Sequence, residues 1–139
     1  MQAVVKWVDG LMFLGESGSG HAVVMDGPPE RGGGNKGFRP MEMFLLGLGG
    51  CASFDVISIL KKTRQRVTDC RVELQALRAD AVPSPFTAID MHFVVSGRDL
   101  KTAQVEKAVH LSATKYCSAS IMLEAAGVVI THSYEVIAV

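Results

Sequence analysis

The run that follows Pro40, MEMFLLGLGGCASFDVISILKK, constrains this chain more than any other stretch. Proline suits a first helical turn, where no intrahelical N–H is needed, and Glu42 complements the positive end of the helix dipole. Apolar side chains then fall on nearly every side, so the helix must be enclosed either by protein or by lipid. Asp55, Glu42 and the glycines Gly47, Gly49 and Gly50 oppose lipid: an ionised group in a bilayer core is costly, and a span needs roughly 20 mostly apolar residues. A central core helix outside any membrane is therefore expected, with the rest of the chain built around it.

A chain of 139 residues, 48% of them apolar, has enough material for one packed interior and too little for two, so a single domain over residues 1–139 is expected. Fourteen basic residues balance fourteen acidic ones, leaving no net field to attract a nucleic-acid backbone. The segment Met1 to Gly10 holds one lysine and no unbroken apolar stretch, unlike a secretory signal. Three cysteines without such a signal fit a reducing compartment, and the cytoplasm is the expected location.

Short β-rich runs, Val4 to Val8, Leu11 to Leu14 and Ala22 to Met25, are separated by the turn signals Asp9-Gly10 and Gly15 to Gly20, which predicts a three-stranded meander. Residues 26–40 are rich in Gly and Pro and predict an exposed, mobile loop. Beyond the long helix, period-two alternation predicts strands over Val67 to Leu77, with Cys70, Val72, Leu74 and Ala76 inward, and over Thr87 to Val95, with Ile89, Met91, Phe93 and Val95 inward. Asp99 reads as the N-cap of a helix to about Thr114, a second helix follows from near Cys117 to Ala126, and the chain closes on a strand from Val128. The order of elements makes an α+β fold.

Chemistry is sparse. The stretches Gly15 to Gly20 and Gly32 to Gly37 lack the spacing of a phosphate cradle and read as turns. His21, His92, His110 and His132 make no metal-ligand spacing, so neither metal nor cofactor is expected. Cys70, on an apolar strand face, reads as a small hydrophobe. Cys51 differs: it follows Gly47, Gly49 and Gly50 inside a helix, where each interior glycine costs roughly 1 kcal/mol relative to alanine, and the missing side chains let a backbone or ligand approach beside the thiol. Cys117, in KYCSAS, lies at a helix start, where free N–H groups and the dipole favour a thiolate. Tight packing is the competing reading for both.

The segments PMEMFLLGLGGCAS (Pro40 to Ser53) and KYCSASIML (Lys115 to Leu123) resemble the two cysteine motifs of the OsmC/Ohr family, and the element order extends the likeness over essentially the whole chain. The resemblance implies an α+β, OsmC-like fold, a β-sheet wrapped around a long central helix. It implies an intertwined homodimer whose N-terminal strands join the partner's sheet and whose sites lie at the interface. Carried over, Cys51 is the thiol that attacks an organic hydroperoxide, Cys117 the thiol that resolves it, and Glu42 the carboxylate that positions a catalytic arginine. The implied function is stress-protective, thiol-dependent reduction of organic hydroperoxides, reset by an external dithiol. Peroxidase members carry an arginine in the N-terminal strand region, but residues 7–30 here contain none, and Arg31 and Arg39 are the nearest substitutes. The alternative is a noncatalytic dimer that senses redox state or holds a small apolar ligand along the glycine-lined helix.

Overall fold

The computed structural model describes residues 1–139. Its backbone contacts gather in two compact units, Met1–Phe44 and Leu45–Val139.

In the first unit, β1 (Ala3–Asp9), β2 (Met12–Ser17) and β3 (Ala22–Met25) form the expected antiparallel meander, in the order β1-β2-β3. Gly15 belongs to β2, paired with Val5 and Val23, so the glycine-rich turn is shorter than its sequence suggests. Every residue of β1 is exposed, including Val4, Val5, Trp7 and Val8, so this strand leaves apolar side chains uncovered on both faces. Residues 26–40 are more ordered than their composition predicts, because one buried carboxylate organises them. Asp26 accepts the backbone N–H groups of Gly27 at 2.7 Å, Gly34 at 3.0 Å and Lys36 at 3.1 Å, and a short 3-10 turn spans Pro29–Arg31. Gly33 packs its α-carbon side directly on Gly27, a contact that leaves no room for a side chain.

The second unit carries most of α1 (Pro40–Lys62), then β4 (Arg66–Arg78), β5 (Phe86–Arg98), α2 (Thr102–Leu111), α3 (Ser118–Ala125) and β6 (Val129–Ala138). β4 and β5 make the expected antiparallel hairpin, while β6 returns to pair with β5 in parallel, the two helices forming the crossover that a parallel pair requires. β5 is thus central: Ile89, Met91, Phe93 and Val95 are buried as predicted, and Val94 on the other face is buried as well.

Two expectations are corrected here. Asp99 does not cap α2: Lys101 occupies the N-cap, and Asp99 adopts a positive φ and pairs with Arg66 instead. The predicted helix to Thr114 ends at Leu111 and passes into a π-helical turn, Ser112–Tyr116, whose wider winding leads into Cys117. Within this chain α1 is also not enclosed all round. Leu48, Gly49, Ala52, Val56 and Leu60 form one buried stripe, while Leu46 and Phe54 stay exposed, because one sheet can cover only one side of a helix. By length and composition alone α1 is able to cross a membrane. Its stripe, however, faces protein: a Cβ at Gly49 would lie 2.9 Å from Leu74 Cδ1 and 3.3 Å from Val72 Cγ1, so the glycine is what lets α1 press on β4.

Burial opposes ionisation of Asp26, yet the N–H groups of Lys36, Gly27 and Gly34, with the Arg39 charge nearby, hold its pKa below the ordinary 3.8. A depressed carboxylate stabilises the fold above its unfolded pKa, and that contribution disappears as pH falls through the lower folded value. Urea unfolding midpoints of the wild type and Asp26→Asn are therefore expected to differ at pH 7 and to converge below about pH 4. Curves that stay parallel down to about pH 2 would contradict this role for Asp26.

Candidate functional site

Cys51 sits on the half-buried shoulder of α1, one residue before the buried Ala52. The Ser112 hydroxyl, fully enclosed at the start of the π-helical turn, donates to the Ala52 carbonyl at 3.2 Å and ties the turn to α1 beside the cysteine. The turn then closes on the Cys117 N–H, which donates to the Ser112 carbonyl at 2.9 Å. Cys117 becomes the N-cap of α3, its sulfur accepting the Ser120 N–H at 3.4 Å. In this way a helix, a π-helical turn and a cap bring together two cysteines that are far apart in sequence.

Both cysteines are free thiols, Cys117 buried and Cys51 partly so. The two sulfurs and a carboxyl oxygen of Asp55 all lie within 4.8 Å of one another. Burial pushes the Cys117 thiol up and outweighs the lowering effect of the Ser120 hydroxyl and N–H; the neighbouring Cys51 raises it further. This reverses the sequence expectation that a helix start would favour the thiolate. The N–H groups are in place, but the site is dry enough for desolvation to dominate.

In the sequence Asp55 speaks only against a membrane. It follows Cys51 by one helical turn, and this i,i+4 spacing is the signal that identifies it. Burial raises its carboxyl against the effect of the Ser112 hydroxyl, and its Oδ2 is shut off from solvent with no hydrogen-bond partner. Three donors, Cys51, Asp55 and Cys117, fall one short of the four that a closed structural metal site takes.

Glu42 serves the start of α1, accepting the Arg39 backbone N–H at 2.8 Å in the reciprocal half of a capping box. The Arg39 guanidinium is engaged elsewhere, by the Asn35 side-chain oxygen at 2.9 Å and the Gly37 carbonyl at 3.2 Å. Cys70 is half-buried on β4 with a thiol raised by burial and by Asp69, in keeping with a packing role. The histidines do not join the cluster. His110 and His132 line a separate open cleft between α2 and β6, where His132 stacks on Phe93 and burial lowers its pKa.

Comparison with known proteins gives the family. The chain is 58% identical over 138 residues to protein YhfA of Escherichia coli K12, covering 99% of each. A solved structure of a hypothetical protein from Aquifex aeolicus superposes with a TM-score of 0.86 at 29% identity, covering 99% of this chain and 96% of that one. An organic hydroperoxide resistance protein, OsmC, from Legionella pneumophila shares the fold, with a TM-score of 0.72 at 17% identity and 97% of each chain covered. The family model described as OsmC-like protein matches residues 33–133, a span that holds both cysteines and most of the elements that position them. The chain belongs to the OsmC-like family.

Proposed function

We propose that this protein is a thiol-dependent reductase of organic hydroperoxides, with Cys51 as the attacking thiol and Cys117 as the resolving thiol. The observation that carries the reading is the approach of the two sulfurs to within 4.8 Å in the reduced protein. A disulfide needs them at about 2.05 Å, so closing the bond calls for a local rearrangement and not a refolding. Fold likeness to an organic hydroperoxide resistance protein supports the same chemistry. Cys51, partly exposed on α1, meets the substrate; Cys117, buried behind it, meets only the product of the first step. Glu42 contributes by fixing the first turn of α1 and the backbone of Arg39, one of the two arginines nearest to the family's arginine region. An external dithiol completes the cycle, in keeping with a cytoplasmic setting.

The functional unit is a homodimer. β1 is uncovered along its whole length, and Gly47 and Gly50 on α1 face open space, with no atom within 4 Å of a Cβ built on either. Two interior glycines that serve no contact within the chain cost helix stability, and a second copy packed against them accounts for that cost. The absence of an arginine from residues 7–30 favours the second reading, a noncatalytic redox sensor, in which the same disulfide forms once and is not turned over.

Cumene hydroperoxide in modest excess is expected to consume two of the three thiols of the wild type and none in Cys51→Ser. Survival of all three wild-type thiols would end the peroxidase reading, and one round of oxidation without turnover in the presence of a dithiol would favour the sensor. Sedimentation is expected at twice the chain mass. Gly47→Leu with Gly50→Leu, whose Cβ atoms meet nothing within 4 Å inside one chain, should yield a folded monomer, whereas a monomeric wild type would refute the dimer.

A further inference from the structure

Asp55 is the part of the cluster that a thiol pair does not explain. Its carboxyl lies within 4.8 Å of both sulfurs, yet no ion pair reaches it and Oδ2 has no partner at all. The groups around it are Cys51 on its own helix, Cys117 at the head of α3 and the Ser112 hydroxyl, whose hydrogen bond goes to the Ala52 carbonyl. A buried polar atom left unsatisfied destabilises a fold, so a carboxyl kept here points to use in the chemistry.

Resting on the peroxidase reading above, we propose that Asp55 is a catalytic residue: it supplies the proton to the oxygen that leaves in each step. Cys51 loses its proton to solvent, and the thiolate attacks the terminal oxygen of ROOH. An S–O bond forms, the O–O bond breaks, and its electron pair departs on RO⁻, which takes the Asp55 proton and leaves as ROH. The carboxylate then receives the Cys117 proton. As the Cys117 sulfur attacks the Cys51 sulfenic acid, the S–S bond forms, the S–O bond breaks, and the leaving hydroxide takes that proton and becomes water. The proton first released by Cys51 returns to Asp55. In sum, two thiols and ROOH give a disulfide, ROH and water: the sulfurs lose two electrons and the peroxide gains them. Burial favours the protonated carboxyl that this role needs.

The leaving group provides the test. An alkoxide needs a proton to depart, whereas a peracid expels a carboxylate that does not. Asp55→Asn is expected to slow oxidation of Cys51 by cumene hydroperoxide about 100-fold and to leave oxidation by 3-chloroperbenzoic acid within about threefold of wild type. Equal slowing with both oxidants would assign Asp55 a structural role and overturn the proposal, as would no slowing with either. The wild type gives a second measure that needs no folded variant: across alkyl hydroperoxides of graded acidity, rates should depend only weakly on the pKa of the alcohol released. The steep dependence of an unassisted thiolate would overturn the proposal. A wild type inert to cumene hydroperoxide defeats the peroxidase reading itself, whereas a reactive wild type with an unimpaired Asn variant defeats only the role of Asp55.

Discussion

The bond from the Ser112 hydroxyl to the Ala52 carbonyl is the contact on which the site depends. It joins the middle of α1 to the π-helical turn that delivers Cys117, and it does so inside the protein, where a hydroxyl without an acceptor would be costly. Behind it lies the buried stripe of α1, in which Gly49 permits the approach of β4 and Leu48, Ala52, Val56 and Leu60 fill the core. The stripe fixes the helix, the helix fixes Cys51, and the hydroxyl bond brings the second cysteine to it.

Burial then decides the chemistry of the cluster. Desolvation raises the Cys117 thiol and the Asp55 carboxyl together, and in both it works against the charged form. In the proposed reaction Cys117 has no need to be ionised before Cys51 is oxidised, and burial protects it from reactions of its own. In the proposed reaction a carboxyl held beside both sulfurs is in place to protonate the oxygen as it leaves.

Much of this was legible in the sequence. Period-two alternation identified the inward faces of β4 and β5 because both pack one side on a continuous core, and Gly-Gly-Cys with the second cysteine motif identified the pair. What escaped notice depended on contacts distant in sequence. Asp99 looks like a cap by residue type, but tertiary pairing with Arg66 draws it away. The loop over residues 26–40 looks mobile by composition, yet a single buried carboxylate organises it. Cys117 sits where a helix dipole favours a thiolate, and only the burial around it, invisible to local reasoning, reverses the sign. Asp55 was missed because an acidic residue in an apolar helix reads first as an argument about membranes.

Disulfide mapping by mass spectrometry after oxidation with one equivalent of an organic hydroperoxide tests the central claim most directly. The account requires a Cys51–Cys117 link within one chain, with Cys70 still free. A link that involves Cys70, a bond between chains, or irreversible oxidation of Cys51 with Cys117 untouched would contradict it.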